Sequence, residues 1–136
     1  MNTPPKGFRA STKNVLWNTF HLTGRTARPH FWWFYLFIFL GAFITAGLDV
    51  LLFMRFEPNP FFFRSIFLTL VLIPLITAGI RRFHDLNMTG WWMVTALFPF
   101  IGFFIVHYFF LLDGTVGPNK YGPDPLRREP PQPRKK

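Results

Sequence analysis

The stretch "WWMVTALFPFIGFFIVHYFFLL", Trp91 to Leu112, decides how this chain is folded. Read as one helix it crosses a membrane, because roughly 20 apolar residues rise about 30 Å, the depth of the hydrocarbon core. Read as two pieces broken at Pro99 to Gly102 it becomes a re-entrant hairpin, since neither half reaches across alone. The continuous span is the expectation, with Pro99 kinking it. His107, near its end, is its one ionisable residue in a run otherwise made for lipid.

Two runs of the same kind precede it. Phe31 to Phe53 holds Asp49 close to its end, and Phe61 to Ile80 holds Arg64 close to its start. Helices satisfy their own backbone in lipid, whereas isolated strands do not. The runs also lack the alternating polarity of an outer-membrane barrel. The expected fold class is therefore all-α, a polytopic helical membrane protein with three transmembrane helices at about 31–53, 61–80 and 91–112. "RFEPNP", Arg55 to Pro60, reads as a tight turn between the first two. Asp85, Asn87 and Thr89 are candidate N-caps for the third, and Pro74 should kink the second.

Composition agrees. Half of the 136 residues are hydrophobic and 20 are Phe, more apolar surface than a soluble unit of this size can hide. The formal net charge is +9, but the basic residues flank apolar runs instead of forming a stripe. That placement suits anionic lipid headgroups and argues against nucleic acid. With no Cys, disulfides and thiolate metal sites are excluded. Residues 1–30 form a basic arm that holds Lys6, Arg9, Lys13, Arg25 and Arg28 and no acidic residue. This could pass for a transit peptide, yet its closeness to the first span favours a juxtamembrane arm. The first run is too long for a cleaved signal-peptide core, so it should stay as an anchor. Within the arm, Val15, Leu16, Phe20 and Leu22 lie among polar residues, and Trp17 and Phe20 are three apart. An amphipathic interfacial helix is expected there. Residues 31–112 form the membrane domain. Residues 113–136 form a Pro/Gly-rich basic tail, with tight turns first and a disordered last dozen.

Three spans would create two polar layers. The amino-terminal face would carry Arg25, Arg28 and His30 with Arg81, Arg82, His84 and Asp85. Arg81 and Asp85 are four apart and share a helical face. Arginine holds phosphate bidentately, so this layer is a candidate for binding a lipid headgroup or an acidic partner, and snorkelling arginines with one local ion pair are the alternative. Trp32, Trp91 and Trp92 sit at span ends as interfacial anchors. On the opposite side, Asp49, Arg64 and His107 would lie at matching depth and could form an interhelical site, or each could reach the headgroups separately. Such a site would suit an accessory subunit or a small oligomeric transporter or channel component. Orientation is nearly undetermined in this arrangement. Lys6, Arg9, Lys13, Arg25, Arg28, Arg81 and Arg82 fall on one face, and the other eight of the 15 basic residues fall on the other. The absence of an acidic residue in the arm favours a cytoplasmic amino terminus.

Signals of catalysis are poor. There is no G-x-S-x-G elbow, P-loop, G-x-G-x-x-G or H-E-x-x-H. The histidines lack metal-ligand spacing, so neither a metal nor a cofactor is implied. The chain reads as a non-enzymatic module of the membrane, with anionic lipid, a membrane-protein partner or a second copy as its partners.

Three motifs stand in order: "GRTARPHFWWF" from Gly24, "RRFHDLNMTGWW" from Arg81 and "GTVGPNKYGPDP" from Gly114. Jointly they resemble domain-of-unknown-function family 805, the YhaH-like small bacterial inner-membrane proteins, over about Phe20 to Pro125. The resemblance implies a multi-pass protein of the bacterial inner membrane and no particular activity. By motif match it gives weight to Arg25, Arg28, Trp32, Arg81, Arg82, His84, Asp85, Trp91 and Trp92. It does the same for Asn119, Tyr121, Gly122 and Asp124 in the tail. Pro29 and Phe83 depart from the family's common residues.

Overall fold

The computed structural model describes residues 7–56 and 61–128. Arg55 and Phe56, expected in the first turn, are helical, whereas the rest of that turn, 57–60, and most of the expected disordered tail fall outside these residues. The described chain is helical: α1 (Phe8–Trp17), α2 (Arg28–Phe56), α3 (Phe62–Asp85), a 3₁₀ helix (Gly90–Leu97) and α4 (Ile101–Leu111).

The helices α2 and α3 have 29 and 24 residues, about 43 and 36 Å of rise. Their most apolar windows have mean hydropathies of 2.1 and 2.0, yet only 6 % and 28 % of those windows is buried within the chain. Helices that are apolar all round and uncovered by protein need another apolar solvent, and lipid supplies it. These two helices are long and apolar enough to cross a membrane.

Local chemistry sets their ends. Pro29 sits in the first turn of α2, where a missing N–H costs no helical bond. Asp49 of α2 caps α3 from outside: its carboxylate accepts the backbone N–H of Phe63 at 2.7 Å and of Arg64 at 3.0 Å. This satisfies two orphan donors and places negative charge at the positive end of the α3 dipole. The helix α3 continues through Pro74. It stops where Asn87 takes φ 60, with Asn87 N–H to the His84 carbonyl at 3.0 Å and Met88 N–H to the Phe83 carbonyl at 2.9 Å. That pair of bonds closes a Schellman cap, and asparagine is one of the few residues that adopts its left-handed position readily. Thr89, not Asp85 or Asn87, caps the next element by accepting the Trp91 N–H.

Trp91–Leu112 is not one helix. It divides into the 3₁₀ helix and α4, and the chain reverses between them at Phe98–Phe100. Phe100 has φ 64 and ψ −73, and the Ile101 N–H reaches back to the Pro99 carbonyl at 2.9 Å. This is the positive-φ γ-turn, a tight and strained reversal. Gly102 lies so close to the other arm that an added Cβ would run into the Thr95 carbonyl. Both feet of the hairpin rest on the carboxyl end of α3. Gly90 stands against Ile80, and Arg82 donates to the Leu112 carbonyl. The expectation of a third transmembrane helix over 91–112 is thereby corrected: α4 has 11 residues, about 16 Å of rise, half a hydrocarbon core.

The helix α1 ends at Trp17, so Phe20 does not share its face through helical geometry. Val15 points into the core, while Trp17 and Phe20 are both more than four-fifths exposed. The core joins α1, α2, α3 and α4 through Val15, Phe31, Phe34, Ala78, Phe83, Val106 and Phe110. The Phe110 ring stands 4.5 Å from Phe31 and 5.1 Å from Phe83.

Gly102→Leu should push the hairpin arms apart and cost about 1–3 kcal/mol as an overpacked contact. Thermal unfolding in detergent, followed by circular dichroism, should show a lower midpoint. An unchanged midpoint would mean that the arms do not need their close approach.

Candidate functional site

Because the hairpin returns to its starting level, the tail meets the other two motifs. The meeting point is Asp85, the last residue of α3. One carboxylate oxygen accepts Arg25 Nε at 3.0 Å and pairs with Arg25 Nη2 at 2.9 Å, while the other accepts Arg82 Nη1 at 2.6 Å. The three side chains are at most 1 % exposed. Arg81, which helical spacing suggested as the partner of Asp85, makes no ion pair with it; Arg82, three residues away, does.

Two guanidinium groups on one carboxylate leave an excess positive charge, and backbone carbonyls absorb it. Arg25 Nη1 donates to Gly117 at 2.7 Å and to Gly122 at 3.3 Å, and its Nη2 donates to the Thr115 carbonyl and hydroxyl. Arg82 Nη2 donates to the carbonyls of Phe110 and Leu112. Helix α4 ends here with carbonyls that have no intrahelical donor, so a buried arginine closes it. Trp32 Nε1 adds a bond to the Phe110 carbonyl at 3.3 Å. Arg82 thus both pairs with Asp85 and terminates the hairpin, while Arg25 ties the same carboxylate to the tail.

The tail closes over this clasp. The Thr115 N–H and hydroxyl both donate to the Asp85 backbone carbonyl, at 2.9 and 3.0 Å. Asn119 Nδ2 donates to the His84 carbonyl at 2.9 Å, and Asn119 and Gly122 exchange backbone bonds in a tight turn. The Tyr121 ring stacks on His84 at 3.9 Å and 6°. Asp124 accepts Arg128 Nε at 2.8 Å and the Leu126 N–H at 2.9 Å. Burial acts to raise the Asp124 carboxyl, but hydrogen bonds from Arg128, Leu126 and Gly117 and the Arg128 charge hold it below its ordinary value. The hydrogen bond to Asp124, and the negative charges of Asp124, Asp85 and Asp113, raise Arg128 against its own burial. Gly114 explains its own residue type: a Cβ there would collide with the Asp85 carboxylate.

The structure therefore brings together Arg25, Arg81, Arg82, His84, Asp85, Trp32, Asn119, Tyr121, Gly122 and Asp124. Arg28 stands at the rim, 45 % exposed, paired with Asp113 at 3.0 Å. Trp91 and Trp92 face outward and take no part in the clasp. Asp49, Arg64 and His107 do not meet. Asp49 engages the Arg64 backbone at one end of the helix pair, whereas His107 Nε2 lies 3.2 Å from the Tyr35 hydroxyl. Tyr35 and Asp49 are both on α2, about 21 Å apart along its axis. The reason is the hairpin, which carries His107 back towards the motif end.

Sequence reasoning missed Gly114, Thr115, Gly117, Asp113, Arg128 and the buried Ser11–His30 bond of 2.9 Å. The first three lie inside the quoted tail motif, and Arg128 follows Asp124 at four-residue spacing. Those were the available signals. No group of three or more His, Asp or Glu among the described residues is placed to hold a metal.

This is the architecture of a helical membrane protein whose third apolar run is a hairpin held by a buried ionic clasp. Residues 19–123 match the family model described as "Protein of unknown function (DUF805)", and the chain belongs to that family. It is 34 % identical over 111 residues to "Inner membrane protein YhaH" of Escherichia coli K12, covering 82 % of this chain and 92 % of that one. It is 32 % identical over 112 residues to "Inner membrane protein YhaI" of the same organism, with the same coverage. With those relatives and two apolar helices of spanning length, the chain is an inner-membrane protein. No solved structure matches.

Asp85→Asn should leave two buried guanidinium groups without a counter-charge and cost about 3–5 kcal/mol. Gly114→Ala should act in the same direction by displacing the carboxylate. Both should lower the unfolding midpoint in detergent far more than an exposed Lys120→Gln. Equal midpoints for Asp85→Asn and Lys120→Gln would show that the clasp does not hold the fold.

Proposed function

We propose that the chain is a non-enzymatic module of the inner membrane with two spans, α2 and α3, and a re-entrant hairpin. Its motif face lies at the cytoplasmic headgroup layer and holds anionic lipid. The observation that carries this reading is the convergence of the three motifs on Asp85. If α2 and α3 cross, the amino-terminal arm, the end of α3 and the tail all stand on one side. Arg9, Lys13, Arg25, Arg28, Arg81, Arg82, Lys120, Arg127 and Arg128 then share that face, and Arg55 and Arg64 lie at the opposite end. The near balance of a three-span chain becomes a strong asymmetry, and the positive-inside rule puts the basic face in the cytoplasm.

The headgroup contacts on this reading belong to the exposed cations, not to the clasp. Arg9, Lys13, Arg28, Lys120 and Arg127 are exposed, whereas Arg25 and Arg82 are sealed inside protein. Each basic side chain near an anionic surface contributes about 1 kcal/mol. Exposed Trp17, Phe20 and Trp91 suit the interfacial belt, where an aromatic ring meets both lipid and water.

Single cysteines at positions 2, 57, 87 and 132, probed with a membrane-impermeant maleimide, test the topology. Positions 2, 87 and 132 should label from the cytoplasmic side and 57 from the other. Labelling of 132 together with 57 would make the hairpin a span and sink the one-face arrangement. The double variant Arg9→Gln/Lys13→Gln should insert normally and retain several-fold less phosphatidylglycerol in native mass spectrometry. Undiminished retention would remove the lipid reading.

A further inference from the structure

Arg81 is the arginine that the clasp leaves out. It is only 9 % exposed. Its guanidinium makes one hydrogen bond, from Nη2 to the Arg25 carbonyl at 3.3 Å, and its Nε is buried without an acceptor. Arg82, its neighbour, also has a buried Nε without an acceptor, but both its Nη groups are bound, by a carboxylate and two carbonyls. A guanidinium carries five N–H donors, and a buried charge without a partner is costly. An orphaned buried donor of this kind is a place where an anion or a water can bind.

No protein carboxylate among the described residues is available to fill the gap. Asp85 is taken by Arg25 and Arg82, Asp113 by Arg28, Asp124 by Arg128, and Asp49 by the start of α3. The surroundings of Arg81 are instead cationic and polar. An added Cβ on Gly24 would stand 3.8 Å from both Nε and Nη2, so the bare glycine leaves that side of the guanidinium uncovered. The Gly24 carbonyl accepts His84 Nδ1 at 3.1 Å. Tyr121 lies flat on the His84 ring, and Lys120 Nζ sits 5.0 Å from the Tyr121 centroid. Arg81, Gly24, His84, Tyr121 and Lys120 thus form one continuous patch with two cations and no anion.

We propose that this patch is a phosphate-binding site, with Arg81 as the bidentate ligand, Lys120 as a second cation and the open face of Gly24 as the way in. Guanidinium geometry matches two phosphate oxygens, and an ammonium complements it as a point charge. The phosphate comes from a lipid headgroup or from free inorganic phosphate. The first source rests on the headgroup reading above; the second does not.

The test uses the full chain in neutral detergent and in nanodiscs. Unfolding midpoints are measured against inorganic phosphate in detergent, and against phosphatidylglycerol content in otherwise zwitterionic nanodiscs. Wild type should be stabilised by one of the two, and the one that acts identifies the source. Arg81→Gln should abolish the shift. In phosphate-free, zwitterionic conditions it should melt no lower than wild type, because it removes an unpaired charge. Lys120→Gln, an exposed change, should weaken the apparent affinity about tenfold. Two results would overturn the site: no phosphate or lipid shift in wild type, or an Arg81→Gln protein as destabilised as Arg82→Gln, which would make Arg81 a structural ion-pair partner. A shift by free phosphate that Arg81→Gln removes, alongside undiminished phosphatidylglycerol retention by Arg9→Gln/Lys13→Gln, would keep this site and discard the general headgroup reading. The converse pattern would do the opposite.

Discussion

The structure depends on one buried carboxylate. Asp85 sits at the last turn of α3, where a helix would ordinarily favour positive charge. It is tolerated because Arg82, three residues earlier, and Arg25, sixty residues earlier, both reach it. Removing Asp85 leaves two guanidinium charges in a medium that cannot solvate them. The clasp is therefore less a source of net stability than a condition on assembly, since the amino-terminal loop, the end of α3 and the tail must all be in place before any of the three charges can be buried.

That condition explains the hairpin. A run as apolar as Trp91–Leu112 could lie across a bilayer as a helix, and hydrophobicity alone does not forbid it. Pro99 interrupts the hydrogen-bond ladder, and Gly102 lets the arms touch at Thr95. The strained backbone at Phe100 is acceptable because both ends of the hairpin are held, by Gly90 against Ile80 and by Arg82 on the Leu112 carbonyl. Arg82 thus acts twice, as a counter-ion to Asp85 and as a cap for a short helix whose last carbonyls have no intrahelical donor. The aromatic cluster around Phe110 packs beside the clasp, through Phe83 and through the Phe110 carbonyl that Arg82 and Trp32 reach, and an apolar, water-poor surrounding strengthens ion pairs.

Charge at this face has two populations. The sealed arginines hold the protein together, and the exposed ones meet whatever lies outside. Residue type does not distinguish them, since both are arginines in the same short motifs. Arg81 belongs to neither: it is buried like Arg82 yet unpaired, and the patch around it has the chemistry of an anion site. Adjacent positions on one helix differ this much because successive residues are about 100° apart around the axis, so Arg82 turns to Asp85 while Arg81 turns to the loop at Gly24.

The sequence by itself determined the solvent, the helical class and the positions of α2 and α3, because lipid demands long uninterrupted apolar helices and leaves few other solutions. It also marked most of the site residues, since the motifs that carry the family resemblance are the ones that converge. It could not determine that they converge. A count of apolar residues registers the length of Trp91–Leu112 but not its direction, and Pro99 alone is as compatible with a kink as with a reversal. The partner of Asp85 was also invisible: helical spacing pointed to Arg81, and the choice of Arg82 and Arg25 comes from side-chain direction and from contacts across sixty residues. Only the tertiary structure decided that the tail lies on Asp85 and His107 beside Tyr35, because burying a charge requires partners brought from distant parts of the chain, and that requirement has no local signature.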